Sequence, residues 1–271
     1  MTMPLHLVLV RHGESEGNIA QKQVKQGDDR LMRELDRVHT EAWRLSALGR
    51  WQAETIGPWL RQEFSEGFTR YLTSWYVRAM ETACLLDLPE ADWFPHPMLS
   101  ERNWGQLSSA TIEQRNSGSL SMDLARQKRD GVWWSPAGGE SIAGILPRLH
   151  TLLDSFHREQ SAGTVIAVCH GEVMWGTRIL LERLTPWQFR ALDESNRPHD
   201  RIHNCQVIHY SRVNPVVPDD VRTRLSWMRS VCPWDTTLSS NEWRLIERPR
   251  FNNKQLREIV AHYQRFLPDN E

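Results

Sequence analysis

Apolar residues fall along this chain in short blocks that end on polar, glycine-containing turns. Leu5 to Val10 is one such block, interrupted only by His6, and Arg11-His12-Gly13-Glu14-Ser15-Glu16-Gly17-Asn18 follows at once. A run of that length without a turn former reads as a buried strand whose carboxyl end is marked by the switch to Arg-His-Gly. Thr164 to Cys169 repeats the pattern: an apolar run rich in β-branched residues closes on His170-Gly171-Glu172, and helical spacing through Val173, Ile179 and Leu180 takes over. Arg70 to Ser74, Asp92 to His96 (closed by Pro95 and Pro97) and Cys205 to Tyr210 read as further strands.

Between these blocks the apolar period changes from two to nearly four. Ser46 caps a helix whose apolar face carries Trp51, Ile56 and Leu60, with Gly57-Pro58 marking a kink or an early end. Val77 to Leu86 reads as the helix fed by the second strand. Gly138-Gly139-Glu140-Ser141 introduces another through Leu146, Leu149 and Leu153, with Pro147 as a bend, and Pro186 starts a short one. Two stretches lack a clear period. Residues 19 to 44 are polar, with a turn at Gly27-Asp28-Asp29 and a helix from about Leu31; residues 103 to 138, which include Trp133-Trp134, suit a helical cap. Both are expected to border a site. The tail after residue 212 carries scattered tryptophans and a basic helix from about Asn253 to Phe266, whose alternating charge suits a solvated or interface face.

With 271 residues there is enough chain for one large α/β domain or two small ones. Lys plus Arg number 33 against 34 Asp plus Glu, so the net charge of -1 offers no general pull toward nucleic acid or an anionic membrane, and any basic site must be local. Cys84, Cys169, Cys205 and Cys232 are far apart in sequence and form no Cys-x-x-Cys pair, which favours reduced thiols in a cytoplasm. The amino terminus does not read as a secretory signal, and no apolar run approaches the roughly 20 residues that span a bilayer. A soluble, cytoplasmic protein is expected.

The two strand ends carry the candidate chemistry. Gly13 is expected to let backbone amides approach a ligand, Arg11 offers a fork of donors suited to phosphate, and His12 is left as a nucleophile. If the two strands are parallel neighbours, His12 and His170 emerge on one edge of a sheet, where open α/β sheets bind ligands, and the amides that open the following helix face the same anion. His170 alone reads as a capping or core histidine. Arg78, on spacing alone, reads as a surface partner of Glu81 or Glu14. Glu101-Arg102 reads equally as a surface pair or as a carboxyl group buried near Trp104, with Arg102 opposing its protonation. A thiol mechanism at Cys169 would need arginine at position 175, which is Trp175, so Cys169 reads as a buried strand residue. His-Glu-x-x-His and Gly-x4-Gly-Lys-Ser/Thr are absent, which argues against a metallohydrolase and a nucleotide-driven kinase.

The string from Arg11 to Asn18, the segment Ser74-Trp75-Tyr76-Val77-Arg78-Ala79-Met80-Glu81-Thr82-Ala83, Glu101-Arg102 before Gly105, Gly138-Gly139-Glu140-Ser141 and the second His-Gly together resemble the histidine phosphatase superfamily, the phosphoglycerate mutase-like family. The resemblance covers about residues 5 to 212. It implies an α/β fold of three layers, α/β/α, with a mostly parallel central sheet flanked by helices. It also implies a catalytic domain over 1–212, with 213–271 as an extension packed on the same domain. His12 becomes the nucleophile, Glu101 the proton donor, and Arg11, Arg78 and His170 the phosphoryl ligands, with Asn18, Gly171 and Arg102 as further phosphate or substrate contacts. No metal and no cofactor are expected. The expected activity is phosphomonoester hydrolysis, on a small molecule or a phosphoprotein. A 2,3-bisphosphoglycerate-dependent mutase and a low-turnover phosphate- or phosphopeptide-binding regulator are the alternatives. Substrate and oligomeric state stay open.

Overall fold

In a computed structural model, residues 2–159 and 162–267 are described; the last four residues of the extension lie outside them. In chain order the elements are β1 (His6–Arg11), α1 (Glu16–Lys25), α2 (Arg30–Leu35), α3 (Ala47–Glu63), β2 (Arg70–Thr73), α4 (Val77–Leu85) and β3 (Trp93–Pro95). They continue with α5 (Ile112–Asn116), α6 (Gly118–Asp130), α7 (Ile142–Glu159), β4 (Thr164–Cys169), α8 (Gly171–Glu182), α9 (Pro186–Asp193), β5 (Val207–Ser211), β6 (Trp227–Val231), β7 (Arg244–Leu245) and α10 (Asn253–Ala261).

The strands form one mixed sheet in the order β3-β2-β4-β1-β5-β6-β7. Its first four strands are mutually parallel, and β5, β6 and β7 continue it with antiparallel pairings. Side chains alternate between the two faces, and both faces are covered. Leu7, Leu9, Val165, Ala167 and Tyr210 pack with Ile145, Leu149 and Phe156 of α7 and Val173 of α8. Val8, Val10, Ile166 and Val168 pack with Ile56 and Leu60 of α3 and Ala79 and Ala83 of α4. A strand buried on both sides has no reason to alternate polar with apolar residues, so β1 and β4 appear in sequence as unbroken runs. The fold is a three-layer α/β/α sandwich.

Two prolines do not end the helices that contain them. Helix α3 runs through Pro58 to Glu63 and α7 runs through Pro147 to Glu159. Both prolines are exposed, and Glu54, whose carbonyl would have met the missing N–H of Pro58, is exposed as well. The freed carbonyl therefore faces solvent, which removes most of the penalty. Gly57 acts instead on the inner face: an added Cβ would sit 2.3 Å from the Leu86 carbonyl oxygen, so glycine is what lets α3 approach the end of α4.

Helix α1 has no counterpart in the sequence reading. Ser15 and Asn18 form a capping box at its start, and only Gly17, Ala20 and Val24 are buried. The two polar excursions meet beside it. Asp29 accepts from the backbone of Ile112 at 3.2 Å, and Arg115 donates to Gln21 at 2.9 Å. Among the described residues no helix is long and apolar enough to cross a membrane.

Candidate active site

The parallel register that sets Arg11 beside Cys169 places the next residues of both chains side by side. His12 and His170 leave the same sheet edge with ring centroids 5.1 Å apart, and both are buried. Nδ1 of His12 lies 2.7 Å from the carbonyl oxygen of Gly13. A carbonyl only accepts, so Nδ1 carries the proton and Nε2 keeps its lone pair. Nε of Arg78 donates toward that Nε2 at 3.3 Å. Burial, then Arg78 and Arg11, hold the imidazole well below its ordinary pKa, so His12 is neutral at pH 7. A neutral ring whose Nε2 carries no proton is the form a nucleophile needs.

His170 accepts or donates through Nε2 at Ser74 Oγ, 2.9 Å away, and its Nδ1 lies 3.7 Å from Glu101 Oε2. Burial and the cations Arg78 and Arg11, with His12, lower its pKa as well. Buried among cations, His170 contributes a hydrogen-bonding ring, and the formal charge at this edge comes from Arg11 and Arg78.

Arg78 lies in the first turn of α4, with its guanidinium 4.7 Å from the Tyr76 ring and one donor on the Thr40 carbonyl at 2.8 Å. Neither surface partner is taken: Glu81 pairs with Arg44 at 2.8 Å and Glu14 accepts from Ser46 at 2.8 Å. Arg11 donates to the Ile202 carbonyl, while its Nε is buried with no hydrogen-bond partner among the described residues. Glu101 completes the cluster. Burial, then the neighbouring Glu172, raise its carboxyl pKa to about 7, against the opposing pull of Arg78, the Arg102 N–H and Arg11. One donor atom each of His12, Glu101 and His170 lies within 4.8 Å of the others. Three such groups can hold a metal ion, but two guanidinium groups act on the same space, which suits an oxyanion better than a cation.

A family model described as histidine phosphatase superfamily, branch 1, matches residues 7–210. The chain belongs to that superfamily. A 2,3-bisphosphoglycerate-dependent phosphoglycerate mutase of Brucella melitensis is 29% identical over 195 residues, covering 67% of this chain and 84% of the relative. Among solved structures, a mycobacterial glucosyl-3-phosphoglycerate phosphatase aligns with a TM-score of 0.61 at 21% identity, over 87% of this chain and 99% of the other. The alpha-ribazole phosphatase of Shigella flexneri aligns with a TM-score of 0.58 at 18% identity, over 82% and 96%. At those identities the two structures speak for the fold alone.

The remaining positions that the superfamily resemblance marked are distributed unevenly. Asn18 borders the cluster: its side-chain oxygen accepts from the backbone and hydroxyl of Ser15 and from Asn204, and Asn204 also donates to the His12 carbonyl at 3.0 Å. Committing the oxygen to those donors turns the Asn18 NH2 group away from them. Gly171 opens α8 directly against Arg11, where a Cβ would make only an ordinary 3.5 Å contact with Nε. Arg102 is turned elsewhere. Its guanidinium lies 4.2 Å from the Trp104 ring and 5.4 Å from Trp134, and it donates to Glu172 at 3.0 Å and to the Glu140 carbonyl at 2.8 Å. Trp104 thus stacks on Arg102, and Arg102 reaches Glu101 through its backbone N–H at 2.9 Å. Gly13 also differs from its expected role. Its amide donates to Thr82 Oγ1 at 3.0 Å, and a Cβ would sit 2.3 Å from the Gly49 carbonyl oxygen, so glycine serves packing against α3. Cys169 is fully buried, and burial raises its thiol pKa.

Ser74, Tyr76, Thr40 and Glu172 were not singled out from the sequence. Ser74 and Tyr76 lie within the segment that carries Arg78, which was the available signal, and the Tyr76 ring sits 5.0 Å from that of His170. Glu172 follows the second His-Gly as Glu14 follows the first. Thr40, in a polar excursion, offered none.

Proposed function

We propose that this chain is a phosphatase that hydrolyses phosphomonoesters through a phosphohistidine on His12. The observation that carries the reading is the meeting of two neutral, buried imidazoles, two guanidinium groups and a carboxyl group with a pKa near 7 at one sheet edge. A phosphomonoester dianion repels nucleophiles, so its charge must be neutralised while the attacker is held in line. Arg11 and Arg78 supply the charge, and His170, Asn18 and the amides at the start of α8 supply donors. As Nε2 of His12 bonds to phosphorus, the bond to the ester oxygen breaks and the Glu101 carboxyl gives that oxygen its proton. Glu101, now ionised, takes a proton from water as the water attacks phosphorus and frees His12. A carboxyl near 7 suits both directions.

No step of this scheme requires a metal, and the chain is expected to work in a cytoplasm on a small phosphorylated metabolite or a phosphoprotein. Likeness to the Brucella mutase favours a second reading, in which the phosphoryl group returns to another hydroxyl of the same substrate. The two are separated by incubating the chain with 3-phosphoglycerate and with a panel of phosphomonoesters, with and without EDTA. Phosphate release that persists in EDTA and outruns isomerisation is expected. Faster isomerisation would favour the mutase, loss in EDTA would overturn the metal-free scheme, and binding without turnover would overturn both enzyme readings.

A further inference from the structure

Glu172 touches none of the reacting atoms in this scheme, yet the proton donor is tied to it by two routes. The first is mechanical. Glu172, in the first turn of α8, accepts from Arg102 Nη1 at 3.0 Å. Arg102 is held between Trp104 and Trp134, donates Nε to the Glu140 carbonyl, and gives its own backbone N–H to Glu101 Oε1 at 2.9 Å. Arg148 fixes the other side of the same short segment through the carbonyls of Met98, Ser100 and Glu101. Remove the anion at 172 and the buried Arg102 guanidinium loses its counter-charge, which leaves it free to turn and drag the N–H that aims Glu101. The second route is through charge. Around Glu101 stand Arg11 at the end of β1 and His12 after it, Tyr76 and Arg78 from α4 and its approach, Cys169 at the end of β4 and His170 after it, Arg102, and Glu172. Of these, Glu172 opposes ionisation of Glu101 most strongly after burial itself.

We propose that Glu172 is a positioning residue for the proton donor: it anchors Arg102, whose backbone N–H orients the Glu101 carboxyl toward the departing ester oxygen. The inference rests on the reading of Glu101 as general acid and extends it to a side chain 71 residues away. Its proton accounting is that of the first step above, in which the proton passes from Glu101 to the leaving oxygen as Nε2 of His12 bonds to phosphorus.

The test uses the full chain, its Glu172→Ala and Glu172→Gln variants, and two esters, phenyl phosphate and p-nitrophenyl phosphate. The first has a leaving oxygen that needs a proton, and the second has one that needs little help. Because kcat/KM covers the steps through ester cleavage, Glu172→Ala should lower it at least about tenfold more for phenyl phosphate, a fraction of the 10²–10⁴ that general acids contribute. Glu172→Gln keeps an acceptor for Arg102 and, at a pH below the limb where Glu101 stays protonated, should keep the wild-type ratio between esters. In both variants the alkaline limb of kcat/KM should move to lower pH, since a lost negative neighbour lets Glu101 ionise sooner. Equal losses on the two esters in Glu172→Ala, or a changed ratio between them in Glu172→Gln, would overturn the proposal while leaving the phosphatase reading intact. A wild-type chain that cleaves neither ester would overturn the reading itself, and the proposal with it.

Discussion

Two clusters of buried charge lie at the start and at the end of α8, and the way each balances its charges differs. At its carboxyl end, Glu182 accepts from Arg178 at 2.9 Å, from the Tyr210 hydroxyl at 2.9 Å and from Arg244 of β7. Burial pushes the Glu182 carboxyl up, but Arg178 and Arg244 outweigh it and hold the group below the ordinary carboxylate range. At its amino end, burial and Glu172 raise Glu101 instead, to about 7. Arg11 Nε, Arg102 Nη2 and His170 Nδ1 are buried there without hydrogen-bond partners among the described residues. One cluster satisfies its carboxylate from three sides and fastens the last strand to the sheet. The other keeps a carboxyl protonatable and two imidazoles neutral beside two guanidinium groups. Buried charge by itself does not mark a reactive site; the mismatch between charge and partner does.

Replacing His12, the proposed nucleophile, tests that contrast most severely. His12→Ala should lower phosphomonoester turnover by at least about 10³-fold, because the groups that remain can bind the phosphoryl group but cannot take it covalently. The chain should still melt cooperatively by circular dichroism. Glu182→Ala should do the reverse: it leaves Arg178 as an unpaired buried cation, so a loss of about 3–5 kcal/mol in urea unfolding is expected. Turnover per folded molecule should stay within a few fold. A larger drop there would mean the two ends of α8 are not independent.

Smaller effects sharpen the comparison through pH. The folded pKa of Glu101 is raised, so its contribution to stability is full below the unfolded value near 4.3 and is lost as pH rises through about 7. Glu101→Gln should therefore stabilise the chain at pH 8 by about 3–4 kcal/mol at most, and by little at pH 4, while it lowers turnover. Glu182 has the opposite sign: its lowered folded pKa gives stability that is present above pH 4.3 or so and lost as pH falls through the folded value. Smallest of all, kcat/KM should decline about tenfold per pH unit above pH 7 or so as Glu101 loses its proton, a limb that Glu101→Gln should abolish.

Much of this was legible in the sequence wherever a residue's role is set by its neighbours along the chain. β1 and β4 stand out because burial on both faces leaves unbroken apolar runs, and each run ends on a His-Gly pair that parallel pairing then brings together. Helix α1 was hidden because it buries only three small or branched residues and relies on its cap. That α3 does not end early at Pro58 depends on which face of the helix meets solvent, and one-dimensional spacing does not report that. The Glu172 to Arg102 pair joins residues 70 positions apart, and the neutrality of His170 follows from burial among cations, so both required the folded arrangement.

The measurement closest to the central claim is rapid acid-free quenching of the chain with a ³²P-labelled phosphomonoester, followed by mapping of the labelled peptide. The account predicts a base-stable, acid-labile phosphoryl group on His12, absent from His12→Ala and undiminished in Glu182→Gln. Turnover by a chain whose label falls on another residue, or with no covalent label under conditions that slow its hydrolysis, would contradict it.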